Sequence, residues 1–184
     1  MKRTLLPALA CGLLSAVHAQ AMDVTYRGDP AGTKRTIAMQ GSIVPGDADR
    51  VRAMVKNLPS GKRLIGFSII SDGGDVATAM ALMDIVTEVG LPLMVMGWCA
   101  SACGYLAADA AAHGNLYLAR EADVRVHRDA DENGNDDLLD SFAIAVVLHG
   151  RGVSKAIATK IIETPSSKLA SITADLIEMG AQKY

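Results

Sequence analysis

The residue order predicts an α/β fold, a largely parallel sheet followed by C-terminal helices, and three observations carry that expectation. Leu64 to Ile70 is a continuous apolar run, the pattern of a strand covered on both faces. Strand-like and helix-like segments then alternate, which implies βαβ units with right-handed crossovers. After His127 the strand-like runs stop and the remainder reads as helix.

Each element has its own signal. Thr36 to Ile43 alternates and is rich in β-branched residues, so it is a strand; Pro45-Gly46-Asp47 turns the chain into a helix. From Asp47 to Asn57, Val51, Met54, Val55 and Leu58 recur at helical spacing. Pro59-Ser60-Gly61 breaks that helix before the Leu64 to Ile70 strand. Ser71 to Asp75 is a tight loop, and a helix runs from Val76 to about Val89, where Gly90-Leu91-Pro92 stops it. Leu93 to Met96 is a short buried strand, Gly97 to Ser101 a second strand-to-helix turn, and a small-residue helix continues through Ala112. Asn115 to Leu118 and Val124 to His127 read as strands; Leu138 to Leu148, Val153 to Ile162 and Thr173 to Met179 read as helices.

The N-terminus bears on location. Lys2 and Arg3 precede an almost wholly apolar stretch, Leu5 to Val17, and both Val17-His18-Ala19 and Ala19-Gln20-Ala21 fit an A-x-A cleavage site. That is the build of a secretory signal peptide, removed after Ala19 or Ala21. About 13 apolar residues are too few to span a bilayer, which needs roughly 20. Ala8-Leu9-Ala10-Cys11 offers a lipoprotein alternative, though its apolar stretch is very short. The expected organisation is residues 1–19 as signal peptide, 20–35 as an extended lead-in, and 36–184 as one domain, in the periplasm or outside the cell. Only the signal peptide is expected to meet a membrane. Losing Lys2 and Arg3 takes the formal charge from −2 to −4, and no basic stripe or aromatic platform suggests nucleic acid.

Two glycine-bearing strand-to-helix turns lie where ligands bind parallel sheets, at the carboxyl ends of the strands. Gly73 and Gly74 leave backbone N–H groups unshielded at the mouth of a helix, suited to a developing oxyanion. Ser101 opens the next helix, whose dipole favours an alkoxide, and Ala102 offers a second N–H. The other reading of Ser101 is a helix N-cap. His127 ends a short apolar strand and could take a proton from a serine hydroxyl. Cys99 and Cys103 flank Ser101 at four-residue spacing, consistent with either a disulfide or two small buried hydrophobes.

Four segments carry a family resemblance. Ser71-Asp72-Gly73-Gly74-Asp75-Val76 resembles the S-P-G-G-x-V loop of the Clp protease proteolytic subunit. Gly97 to Cys103, reading G-W-C-A-S-A-C, resembles its G-x-A-A-S-M/A nucleophile segment. Val124-Arg125-Val126-His127 resembles the strand ending in its histidine, and Ile172 to Gly180 its closing L-T/S-A-x-E-A-x-x-x-G stretch. The likeness covers about residues 36–180, and the C-A-S-A-C segment is closest to that of secreted members of the group. It implies a ββα spiral of the Clp protease/crotonase superfold and a serine hydrolase that acts on peptides as a homo-oligomer. In that scheme Ser101 is nucleophile, His127 general base, and Gly73, Gly74 and Ala102 the oxyanion hole. It implies no required cofactor.

Where the family carries its third catalytic member, an acid, this chain reads Pro165-Ser166-Ser167-Lys168. Glu163 or Asp129 could orient the histidine instead, as could Asp131 or the Ser166 hydroxyl. A lysine base, Lys155, Lys160 or Lys168, is a further option. Without the acid, a catalytically degenerate binding or assembly protein is the alternative function. An acyl-CoA enzyme of the crotonase branch is a third, disfavoured by export. Separately, Asp129 to Asp140 fits a calcium-loop template. Asp129, Asp131, Asn133, Asn135, Asp137 and Asp140 would supply oxygen ligands, with Gly134 at the sharp turn. Asp136 stands where that template has an aliphatic residue, and no helix precedes the loop.

Overall fold

In a computed structural model that describes residues 21–131 and 133–184, the chain forms ten strands and six helices among the described residues. In chain order they are β1 (Asp23–Arg27), β2 (Lys34–Gln40), α1 (Asp47–Lys56), β3 (Arg63–Ser71) and α2 (Val76–Val89). Then come β4 (Leu93–Ala100), α3 (Ala102–Ala112), β5 (Leu116–Leu118), β6 (Asp123–Val126), β7 (Asp129–Ala130) and β8 (Asp136–Asp137). The chain ends with α4 (Leu138–Gly150), α5 (Lys155–Glu163), β9 (Ala170–Ser171), α6 (Thr173–Glu178) and β10 (Gln182–Lys183). The expected signal peptide, including Cys11, lies outside the described residues.

The main sheet runs β1-β2-β3-β4-β5-β10, with β6 also on β4 and β9 on β6. Pairings β2–β3, β3–β4, β4–β5, β4–β6 and β5–β10 are parallel; β1–β2 and β6–β9 are antiparallel. This is the mixed, mostly parallel α/β fold expected from the residue order. The expected lead-in departs from expectation in one respect: Asp23–Arg27 is an edge strand on β2, so the sheet begins before residue 36.

Strand β4 is longer than its apolar run suggests, and its path positions the site. Leu93 to Val95 pair with β5, whereas Trp98 to Ala100 pair with β6. The register against β3 shifts between Ile69 and Ser71, where Ser71 meets Cys99. The strand thus changes neighbours across Gly97, a residue that reads locally as a turn. Its far end rises beside β6, the strand that leads into His127.

Helices α2 and α3 cover the sheet. The core is built of small and branched residues, Phe67, Leu82, Leu93, Leu106, Val124 and Ile157 among the fully buried ones. Close packing of α3 depends on Gly104, because a Cβ there would lie 2.4 Å from the Arg125 carbonyl oxygen. Among the described residues no buried side-chain nitrogen or oxygen lacks a hydrogen-bond partner. None of their helices is long and apolar enough to cross a membrane.

Candidate active site

Ser101 stands at the elbow between β4 and α3, with φ 56° and ψ −126°. It is the only non-glycine residue with positive φ among the described residues. These angles suit glycine at the first corner of a type II′ turn, and holding another residue there costs about 1–3 kcal/mol. The surroundings enforce it. Its N–H donates to the Arg125 carbonyl at 3.0 Å. Gly73 presses on it from behind, where a Cβ would lie 2.6 Å from the Ser101 Cβ and 2.9 Å from the Ala102 nitrogen. Cys99 and Cys103 are joined as a disulfide with Cα atoms 5.3 Å apart, both fully buried. The Ser101 hydroxyl makes no capping bond to its helix, so the N-cap reading does not account for it.

His127 follows directly on β6. With Ala100 opposite Arg125, Ser101 and His127 leave adjacent parallel strands one residue out of step. Adjacent strands lie about 4.8 Å apart. No direct Ser101–His127 hydrogen bond forms, and such contacts often tighten only with substrate. Two bonds set the histidine. The buried Tyr105, one turn into α3, donates its hydroxyl to the His127 carbonyl at 2.8 Å. The His127 Nδ1 lies 2.5 Å from the Arg128 carbonyl oxygen, so a proton on Nδ1 leaves Nε2 as the free acceptor. Neither contact is legible in a motif; an aromatic residue one helical turn after the serine was the available signal for Tyr105.

The glycine loop divides the roles given to it. The Gly73 N–H already donates to Ser71 Oγ at 3.0 Å, and the Gly73 carbonyl accepts from Ile43 N–H at 2.7 Å. Asp75 N–H donates to the Ile43 carbonyl at 2.9 Å, which completes a parallel bridge between Ile43 and Gly74. In such a bridge the Gly74 N–H faces away from Ile43. Ala102 is the first residue of α3, where N–H groups have no intrahelical partner.

The sequence model of the Clp protease family matches residues 24–175. The chain belongs to the Clp protease family. No curated protein matches it.

In this Clp protease family member the candidates for orienting His127 fall in different surroundings. Glu163 closes α5 at an exposed position and makes no hydrogen bond to His127. Asp129 is half-buried, and its charge is felt by Tyr105. Burial, with Asp140 and Asp137 adding to it, pushes the Asp129 carboxyl up, while the Ala130 N–H and His127 pull it down. Burial and then Asp129 hold the Tyr105 phenol well above its ordinary range. Ser166 and Lys168 share a cleft of about 380 Å³ with Asp72, Trp98, Arg125 and His127. Lys160 is committed to Asp175 at 2.7 Å, and Lys155 lines a separate hollow beside His149.

The acidic segment folds as a two-stranded β-hairpin. Asp129 pairs with Asp137 and Ala130 with Asp136. Asp131 accepts N–H bonds from Asn133 and Asn135 at 2.9 and 2.8 Å, which lowers its pKa. Asp136 accepts from Ser166 N–H at 2.6 Å and pairs with Arg128 at 2.5 Å; both keep it ionised. Asp137 caps α4 through the Asp140 N–H at 3.0 Å. With these carboxylates turned to backbone and arginine, no group of three metal-ligating side chains converges among the described residues.

Proposed function

We propose that this Clp protease family member is an exported serine peptidase with Ser101 as nucleophile. The observation that carries the proposal is the backbone of Ser101, held at positive φ with an uncommitted hydroxyl, at a strand end adjoining that of His127. Non-glycine residues in this conformation persist only where the surroundings impose it, and they cluster at active sites. The disulfide supports export, since such bonds persist in oxidising compartments.

In the proposed reaction Ser101 Oγ attacks the scissile carbonyl carbon while His127 Nε2 accepts the hydroxyl proton. The oxyanion rests on the Gly74 and Ala102 N–H groups, with Gly73 acting as a buttress. Collapse breaks the C–N bond, and His127 returns its proton to the leaving amine. Water, deprotonated by His127, then releases the acyl group. The Arg128 carbonyl orients the imidazole but carries no full charge, and Asp129 supplies only a nearby negative field. Orientation without a bonded carboxylate implies slow turnover, since that acid is worth up to about 10⁴ in rate.

The second reading, a binding or assembly protein that kept the fold, is favoured by the absence of a carboxylate hydrogen-bonded to His127 among the described residues. Labelling with a fluorophosphonate, with and without calcium, separates the two. We expect labelling that is lost in Ser101→Ala and falls at least a hundredfold in His127→Ala, independent of calcium. A well-folded sample that stays unlabelled would move the assignment to the binding reading. Self-association through the exposed apolar face of α4 (Leu139, Phe142 and Val146) is also proposed, and sedimentation equilibrium reads it.

A further inference from the structure

We propose that the Cys99–Cys103 disulfide is a positioning device for Ser101, setting the nucleophile's backbone as well as closing the chain. The proposal rests on the reading of Ser101 as nucleophile, and it concerns what keeps that residue in its conformation. Cys99 is the penultimate residue of β4 and Cys103 the second residue of α3, so the bond spans the elbow with Ser101 midway. Four residues of extended chain would separate the two Cα atoms by about 13 Å. The bond holds them at 5.3 Å. Within that span the chain must reverse sharply between strand and helix.

Only Ser101 has a positive φ among the non-glycine residues described, and it lies at that reversal. The flanking segments are fixed independently. Cys99 is registered between Ser71 of β3 and Val124 of β6, and α3 is seated by Gly104 against the Arg125 carbonyl. With both ends held and the bond in place, the strand end and helix start cannot move apart, which narrows the backbone paths open to Ser101 between them. Without the bond, two noncovalent contacts remain to oppose that movement: the Ser101 N–H on Arg125 and the Gly73 backbone behind it. Both cysteines are fully buried, so the device is internal.

The test compares the full chain with its Cys99→Ala/Cys103→Ala variant. The fluorophosphonate labelling rate of Ser101 is measured across pH and normalised to the folded fraction. Amide hydrogen exchange at Ser101 and Tyr105 is followed alongside that of β3. Expected is a labelling rate at least tenfold lower with an unchanged pH midpoint, and faster exchange confined to the elbow. A purely structural role would lower the unfolding midpoint while leaving normalised labelling within twofold, and that result overturns the proposal. If the variant does not fold, the same readouts are taken on the folded wild type reduced by dithiothreitol. Its two thiols give up two hydrogens to the cysteine pair and close into a cyclic disulfide. If the wild type is not labelled at all, the nucleophile reading fails by itself. Exchange then decides the positioning claim: local acceleration at the elbow upholds it, and unchanged exchange refutes it.

Discussion

At the scale of single residues, Ser101 and Asp129 each hold an unfavourable state that substitution should release. Glycine adopts φ 56° and ψ −126° freely, and the Ser101 hydroxyl has no capping role to lose. Ser101→Gly should therefore stabilise the protein by about 1 kcal/mol in urea unfolding, at the lower end of the range for relieved strain, while abolishing labelling. Asp129 titrates from an ordinary value of 3.8, and burial raises its pKa in the folded state. The folded form thus holds its proton to higher pH than the unfolded form does. Stability contributed by the protonated group is fully present below the ordinary value and is lost as pH rises through the folded one. Asp129→Asn should accordingly unfold at higher urea than wild type at pH 7, with the gap narrowing below about pH 4, near the unfolded value. A gap that widens on acidification would refute this.

At the scale of elements, the site depends on α3 lying close against β6. Gly104 permits that approach: an added Cβ would meet the Arg125 carbonyl oxygen at 2.4 Å and Val126 Cγ1 at 2.9 Å. These are backbone and packed core atoms, which cannot rotate away. Gly104→Ala should cost about 2 kcal/mol through overpacking. It should also slow Ser101 labelling beyond what the stability loss explains, since β6 leads into His127 and Tyr105 on α3 bonds the His127 carbonyl. Thermal melting and labelling of the folded fraction measure the two effects separately. The helical signals at α1, α2, α3 and α4 were readable because apolar spacing and Gly or Pro stops are local. The two-residue strands β7, β8, β9 and β10 were not, because so short a pairing leaves no periodicity in the residue order.

Over the whole molecule, an ion-pair network anchored on one buried carboxylate ties the C-terminal helices to the sheet-covering layer. Asp109 of α3 is 1% exposed and accepts from Arg151 Nε and Nη2 at 2.5 and 3.1 Å. Arg151, just past α4, also reaches Asp84 of α2 at 2.8 Å. Arg151→Ala would leave a buried carboxylate without its cation and should cost about 3 kcal/mol in urea unfolding. An Asp109→Asn/Arg151→Met double variant, which removes both charges, should recover part of that loss. Equal destabilisation of the two variants would show that the loss comes from packing, not charge.

Residue order alone was enough for the α/β class, most helices, the two glycine-bearing turns and the pairing of Ser101 with His127 as candidates. All of these rest on spacing and residue type within one segment, or on four segments appearing in a familiar order. Tertiary structure alone decided what those residues do to one another. It bent β4 across Gly97 so that its end meets β6, placed Gly73 behind Ser101, and brought Tyr105 and the Arg128 carbonyl to His127. It also folded the acidic segment into a hairpin whose carboxylates accept from Arg128 and from local N–H groups. Backbone carbonyls and the angle at one serine have no letter in a sequence. They follow from where separate strands meet.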